Sequence, residues 1–134
     1  EMCIRDRWTY LRPGNEFGKD AKAGAFVEMK KAHIGNGTKV PHLSYVGDAQ
    51  LGDHTNIGGG TITANYDGVH KNRTTIGSGC HVGAGNLFVA PVEVGDNVTT
   101  GAGSVVRHAV PSDTMVYSEN TQHNVEGWKP AWER

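Results

Sequence analysis

A parallel β-helix built from short strands is the fold class this sequence predicts, and three observations carry it. Small or apolar residues recur every six positions, with Ile76, Val82, Phe88, Val94, Thr100 and Val106 in unbroken register. Glycine follows four of them, at Gly77, Gly83, Gly95 and Gly101. Glycine also supplies 19 of the 134 residues, about twice its ordinary share of roughly 7%. An α-helix repeats its buried face about every 3.6 residues and a strand every second one. A hexad instead suits a chain coiling through short strands, with one side chain inward per face and glycine relieving the corner beside it.

The elements follow in order. Residues 1–7 (EMCIRDR) carry neither hexad nor turn chemistry, and residues 1–10 are expected to form a loosely ordered remnant outside the fold. Leu11-Arg12-Pro13-Gly14 reads as a turn, and the β-helix domain is expected over residues 11–110. Its first hexad set is Phe17, Ala23, Met29; its second Ile34, Val40, Val46; its third Leu51, Ile57, Thr63. The steps from Met29 to Ile34 and from Val46 to Leu51 are five residues, so the corners differ there. Between Thr63 and Ile76 the period lapses. Residues 64–73 are polar and carry an Asp67-Gly68 turn signal, which predicts a loop thrown out of the coil. With three hexads to a triangular turn, Phe17 to Val106 makes about five coils. Residues 111–134 lack the hexad and form an irregular tail, whose Trp128, Pro130 and Trp132 suit either a cap on the stack or a contact with a neighbouring subunit.

Composition excludes several function classes. Thirteen Lys and Arg against 14 Asp and Glu give a net charge of −1, which argues against a nucleic-acid or polybasic membrane surface. No apolar run approaches the roughly 18 residues of a spanning helix, and no leader pattern opens the chain. Cys3 and Cys80 lie too far apart for a local metal clip, so a reduced, cytoplasmic protein is expected.

A series of blocks then carries a family resemblance. Leu11-Arg12-Pro13-Gly14, Phe26-Val27-Glu28-Met29-Lys30-Lys31, His42-Leu43-Ser44-Tyr45 and Val46-Gly47-Asp48-Ala49 resemble the acetyltransferase half of bacterial bifunctional N-acetylglucosamine-1-phosphate uridyltransferase/glucosamine-1-phosphate N-acetyltransferase. So do residues 56–63 (NIGGGTIT), Asn65-Tyr66-Asp67-Gly68, Val89-Ala90-Pro91-Val92 and Glu126-Gly127-Trp128. The resemblance to these hexapeptide-repeat acyltransferases implies a left-handed β-helix, against the usual crossover hand. It also implies a homotrimer with active sites between subunits. No glycine-rich nucleotide loop precedes Arg12, so uridylyl transfer is not expected of this chain.

The resemblance implies acetyl transfer from acetyl-CoA, as co-substrate, to the amine of glucosamine-1-phosphate, giving N-acetylglucosamine-1-phosphate for cell-wall precursor synthesis. That chemistry needs a neutral amine, and a histidine takes up such a proton near neutral pH. His42 matches the family's proton acceptor; His33, His54, His70, His81, His108 and His123 read as surface residues. A sugar phosphate needs cations, and Arg12 and Lys30 match family substrate-binding positions, as do Tyr45 and Asn56. Without the resemblance, Arg12 and Lys30 would be solvated charges, Tyr45 a packing aromatic, and Asn56 a turn amide or a rung of an internal asparagine ladder. Glu28 and Lys71 match polar positions near the family's site. For acetyl-CoA, the matches are Asn65 and Tyr66 in the loop, and Gly59 and Ala102 where coil backbone meets the pantetheine arm. No metal is expected.

Three positions depart from the family pattern. Ala84 stands where a serine is common, Gly85 where an aspartate follows it, and Glu119 where an arginine faces the cofactor's phosphates. Other readings keep the fold but change the chemistry: another sugar N- or O-acyltransferase, or a non-catalytic trimerising β-helix. A zinc-dependent hydrolase reading lacks its usual pair of histidines five apart.

Overall fold

The six-residue period becomes a three-sided coil because the backbone turns through left-handed conformation at most corners. The computed structural model describes residues 4–133, which form short strands and one 3-10 turn at Ala131–Glu133. The chain winds as a left-handed β-helix of about 6 turns. Its first face stacks Ile4–Arg5, the leading halves of Lys22–Lys30 and Lys39–Gly47, then Asn56–Ile57, His81–Val82, Thr99–Thr100 and Met115–Val116. The second stacks Tyr10–Leu11, the trailing halves of the same two long strands, Ile62–Ala64, Leu87–Val89 and Val105–Val106. The third stacks Glu16–Phe17, His33–Ile34, Ala49–Leu51, Thr74–Ile76 and Val92–Val94. All of these pairings are parallel.

The corners line up in columns. Between the first and second faces lie Trp8, Phe26, Leu43, Gly60, Gly85 and Gly103, with φ from 38° to 76°. Gly14, Lys31 and Asp48 turn the chain from the second face to the third at φ 91°, 46° and 47°. Asp20, Gly37, His54, Gly79, Asn97 and Asp113 return it to the first. Each non-glycine residue in this conformation costs roughly 1–2 kcal/mol, offset by the ladder that the corner makes possible. Beside the third corner, side-chain oxygens cap backbone N–H groups from coil to coil. Lys19 N–H donates to Asn36 Oδ1 (2.7 Å), Asn36 N–H to Asp53 Oδ1 (2.7 Å) and Asp53 N–H to Ser78 Oγ (2.9 Å). Ser78 N–H donates to Asp96 Oδ1 (2.7 Å) and Asp96 N–H to Ser112 Oγ (2.9 Å). Coils approach so closely here that a Cβ on Gly77 would sit 2.6 Å from the Gly95 carbonyl oxygen. That contact is why glycine follows the inward residue.

The inward column is the hexad set itself. Ala23, Met29, Ile34, Val40, Val46, Leu51, Ile57, Thr63, Ile76, Val82, Phe88, Val94, Thr100 and Val106 are all buried, and Phe17 is partly so. Burying each larger aliphatic or aromatic one contributes about 1.5–3 kcal/mol. Cys80 belongs to this interior, its thiol 3.1 Å from the Gly95 carbonyl, where burial pushes it up from the ordinary thiol range. Cys3 lies outside the described residues.

Both ends differ from expectation. The described part of the leading segment does not lie loose: Ile4 and Arg5 pair with Lys22 and Ala23, and Ile4 N–H donates to the Ala21 carbonyl at 3.0 Å. The exposed edge of the first coil offers unpaired backbone groups, and any following extended segment can take them. With Met115–Val116 added at the far end, about 6 turns replace the five counted from Phe17 to Val106. Trp128 and Trp132 are exposed.

Phe88→Ala should remove the largest wholly buried side chain and lower unfolding free energy by about 3–5 kcal/mol, read as a drop in denaturation midpoint. Gly77→Ala should also destabilise strongly, because the new methyl meets the Gly95 backbone as well as the Asp96 carboxylate. A midpoint unchanged in Gly77→Ala would mean the coils are spaced more widely than described.

Candidate active site across the second face

The second face carries chemistry on its outer side. Tyr10, Glu28, Tyr45 and Ile62 are in register on successive coils and point outward, opposite the buried column. Arg12 Nη1 lies 3.6 Å from Glu28 Oε1. Asn15 holds the turn that presents Arg12, its Nδ2 donating to the Arg12 carbonyl (2.7 Å) and its Oδ1 accepting from Ala32 N–H (3.0 Å).

Toward the second corner the surface becomes polar and enclosed. Lys30 is only 8% exposed, rare for a lysine without a partner. Its partner is Asp48, with Nζ 3.4 Å from Oδ2. Asn65, also buried, donates from Nδ2 to the same Oδ2 (2.6 Å) and to the Tyr45 hydroxyl (3.2 Å). Lys71 closes the group. A hydrogen bond donated to the Lys71 amine, and then the Asp48 carboxylate, raise the Lys30 ammonium above the usual lysine range against the cost of burial. The same contact and the charge on Lys30 lower Lys71. Of the two amines, Lys71 therefore gives up its proton first.

The loop that brings Asn65 and Lys71 here is braced internally. Tyr66 and Lys71 form an antiparallel bridge, and Asn72 N–H donates to the Asn65 carbonyl at 2.7 Å. At the loop's tip, Asp67 Oδ1 accepts from His70 N–H (2.6 Å) and Val69 N–H (2.8 Å). These bonds hold its carboxyl below the usual aspartate range. The Tyr66 hydroxyl donates to the Gly68 carbonyl (2.7 Å), with its ring exposed.

The opposite margin of the face is bare. His42 is exposed beside the first corner, in register with Ala25. A Cβ on Gly59, one coil on, would meet His42 Cβ at 3.4 Å. Gly85 N–H then donates to the Gly59 carbonyl and Gly103 N–H to the Ala84 carbonyl, each at 2.8 Å. Gly59, Ala84 and Ala102 thus continue the line from His42 with side chains no larger than methyl. Gly85 turns this corner at φ 68°.

The expected site residues therefore fall into three groups within one chain. Arg12, Glu28, Lys30, Tyr45, Asn65 and Lys71 gather toward the second corner; His42, Gly59 and Ala102 line the first; Asn56 stands exposed on the first face, between Lys39 and His81. The internal-ladder alternative for Asn56 does not hold, since Asn56 is exposed. Sequence reasoning passed over Asp48 and Gly47, which lay inside a quoted block without any local sign of the convergence on them. Glu119 is exposed in the tail. Among the described residues, no cluster of His, Cys, Asp or Glu could hold a metal ion, and no helix is long and apolar enough to cross a membrane.

Comparisons with known proteins agree with this architecture. The bacterial transferase hexapeptide (six repeats) family matches residues 73–108. The bifunctional protein GlmU of Bifidobacterium longum (strain NCC 2705) is 99% identical over 127 residues, covering 95% of this chain and 28% of that protein. GlmU of Streptomyces griseus is 60% identical over 121 residues, covering 90% of this chain and 25% of that protein. The chain thus spans about a quarter of these relatives' length, their C-terminal part. Among solved structures, the acetyltransferase domain of PglB from Neisseria gonorrhoeae, in complex with acetyl coenzyme A, superimposes with a TM-score of 0.76 at 21% identity, covering 84% of this chain and 53% of that one. The H141N mutant of perosamine N-acetyltransferase from Caulobacter crescentus gives 0.71 at 18%, covering 81% and 50%. These two share the fold.

The Asp67 turn has a defined pH dependence. Its carboxyl is depressed in the folded chain, so its contribution to loop order is fully present above the ordinary aspartate value of about 3.9 and is lost as pH falls through the lower folded value. Hydrogen exchange at the Val69 and His70 amides should stay slow at neutral pH and speed up in Asp67→Ala. Exchange rates equal to wild type would show that these bonds do not brace the loop.

Proposed function

For a chain corresponding to the C-terminal part of the bifunctional GlmU proteins, we propose that it transfers the acetyl group of acetyl-CoA to the amine of glucosamine-1-phosphate. The observation that carries this reading is the division of one face. A cation-bearing polar cluster occupies one margin, and a line of methyl-sized side chains leading to His42 occupies the other. The cluster suits a sugar phosphate: Arg12 offers a fork, Lys30 a point charge and Tyr45 a hydrogen-bonding partner for the sugar, with Asn56, on the first face, a second such partner from a neighbouring subunit. The flat line suits the pantetheine arm, for which Gly59 and Ala102 leave room, while Asn65 and Tyr66 supply polar contacts from the loop of a neighbouring subunit.

In this mechanism His42 takes a proton from the acceptor's ammonium. The freed nitrogen lone pair attacks the thioester carbonyl, the C–N bond forms as the C–S bond breaks, and the nitrogen's surplus proton passes to the departing thiolate, leaving the amide and the CoA thiol. No described residue hydrogen-bonds the His42 imidazole, which leaves its nitrogens for the substrate. The three groups of residues come from separate faces and corners, which favours a homotrimer whose sites are completed between subunits. Exposed Trp8, Phe26 and Leu43 along the first corner, and Tyr10 and Ile62 on the second face, provide an apolar surface for that packing.

An acceptor screen with acetyl-CoA, reading free thiol, tests the reaction. Glucosamine-1-phosphate should be turned over well ahead of glucosamine and other amino sugars; no thiol release with any of them would overturn the reading. Sedimentation at micromolar concentration should give a trimer, and a monomer would count against sites shared between subunits. His42→Ala should lower turnover by about 10²–10⁴-fold while binding of both substrates changes little, with partial rescue at higher pH as the acceptor arrives deprotonated. A folded variant within about threefold of wild type would end the assignment of His42. Lys30→Ala should weaken the sugar phosphate by about one to two powers of ten and acetyl-CoA far less.

A further inference from the structure

More of this site's polar groups converge on Asp48 than its place in the reaction above explains. One carboxylate oxygen, Oδ2, faces both Lys30 Nζ (3.4 Å) and Asn65 Nδ2 (2.6 Å). The Asp48 backbone is pinned from both sides, its N–H donating to the Lys30 carbonyl (2.8 Å) and its carbonyl accepting from Thr74 N–H (3.2 Å). Its side chain is 16% exposed, so solvent screens these contacts little. The Asn65 amide spends its N–H groups on Asp48 and on the Tyr45 hydroxyl. This orientation turns Asn65 Oδ1 away as an acceptor and leaves the Tyr45 O–H free to donate. Gly47 forms the floor: a Cβ there would overlap the Tyr45 hydroxyl and sit 2.7 Å from Asn65 Nδ2. Its φ lies outside the left-handed region, so alanine would change packing without straining the backbone.

We infer that Asp48 is a positioning residue that ties the acceptor-binding Lys30 and the cofactor-facing Asn65 to one carboxylate, with Gly47 keeping the space in which they meet. The inference rests on the functional reading above. Without Asp48 the Asn65 amide loses its orienting partner and the loop loses its anchor on the coil, while every group that touches substrate remains. The acetyl-CoA side depends more on it, since the bond to Asn65 is the shorter.

The test compares Asp48→Ala, Asp48→Asn and Gly47→Ala with wild type by initial rates, melting temperature and amide exchange in the loop. Asp48→Ala should raise the KM for acetyl-CoA by about tenfold or more, with kcat reduced much less. Asp48→Asn, whose amide oxygen still accepts from Asn65, should recover most of that loss. Gly47→Ala should reproduce the KM shift with the carboxylate in place. Exchange of the Asn72 amide, which is bonded to the Asn65 carbonyl, should speed up in Asp48→Ala and slow again in Asp48→Asn. An unchanged acetyl-CoA KM in Asp48→Ala overturns the inference, and so does an equal loss in both Asp48 variants that merely tracks melting temperature. A wild-type chain without turnover defeats the functional reading, and the exchange comparison then decides Asp48 alone: unchanged exchange overturns its role.

Discussion

Each coil must change direction three times, and most of these changes pass through left-handed backbone. That constraint governs the rest of the structure. In the early coils the repeat is 17 residues, as in the pairing of Ala25 with His42 or of Lys22 with Lys39. The corners therefore stack in columns, and whatever satisfies one corner must suit the coils above and below. Asn36, Asp53, Ser78, Asp96 and Ser112 answer with short side-chain oxygens that reach the backbone of the preceding coil. Glycine beside them is a consequence of close backbone approach more than of turn chemistry.

The candidate site draws on this regularity and breaks it once. Lys30 and Asp48 sit in adjacent coils because the register demands it, and Asp48 has the left-handed backbone of a corner residue. The projecting loop interrupts the stack immediately afterwards and returns Asn65 and Lys71 onto the same spot. A lysine with little solvent access is tolerable only with compensation, and the shared carboxylate provides it. The rest of the face is simple by contrast. Opposite the cluster, the coil presents methyl groups and bare Cα atoms, which suits an extended ligand lying along the helix axis.

The departures at Ala84 and Gly85 look different once placed in the coil. Ala84 lies on the flat line beyond Gly59, so alanine in place of the serine that the resemblance implies adds no bulk there. Gly85 occupies a corner whose neighbours Gly60 and Gly103 share its positive φ, and glycine meets that requirement without the strain an aspartate would carry.

What the sequence determined by itself was the local period. The hexads named the buried column, because each inward side chain is set by its own strand and corner. The lapse between Thr63 and Ile76 marked the loop for the same reason. Tertiary structure alone decided which residues meet across coils. Asp48 and Asn65 are 17 positions apart and touch only because parallel stacking brings them into line. Ile4 and Arg5 join the stack with no hexad of their own, because an open sheet edge accepts any extended backbone. Contacts along the helix axis depend on the accumulated length of each coil. No window short enough to show a period contains that sum.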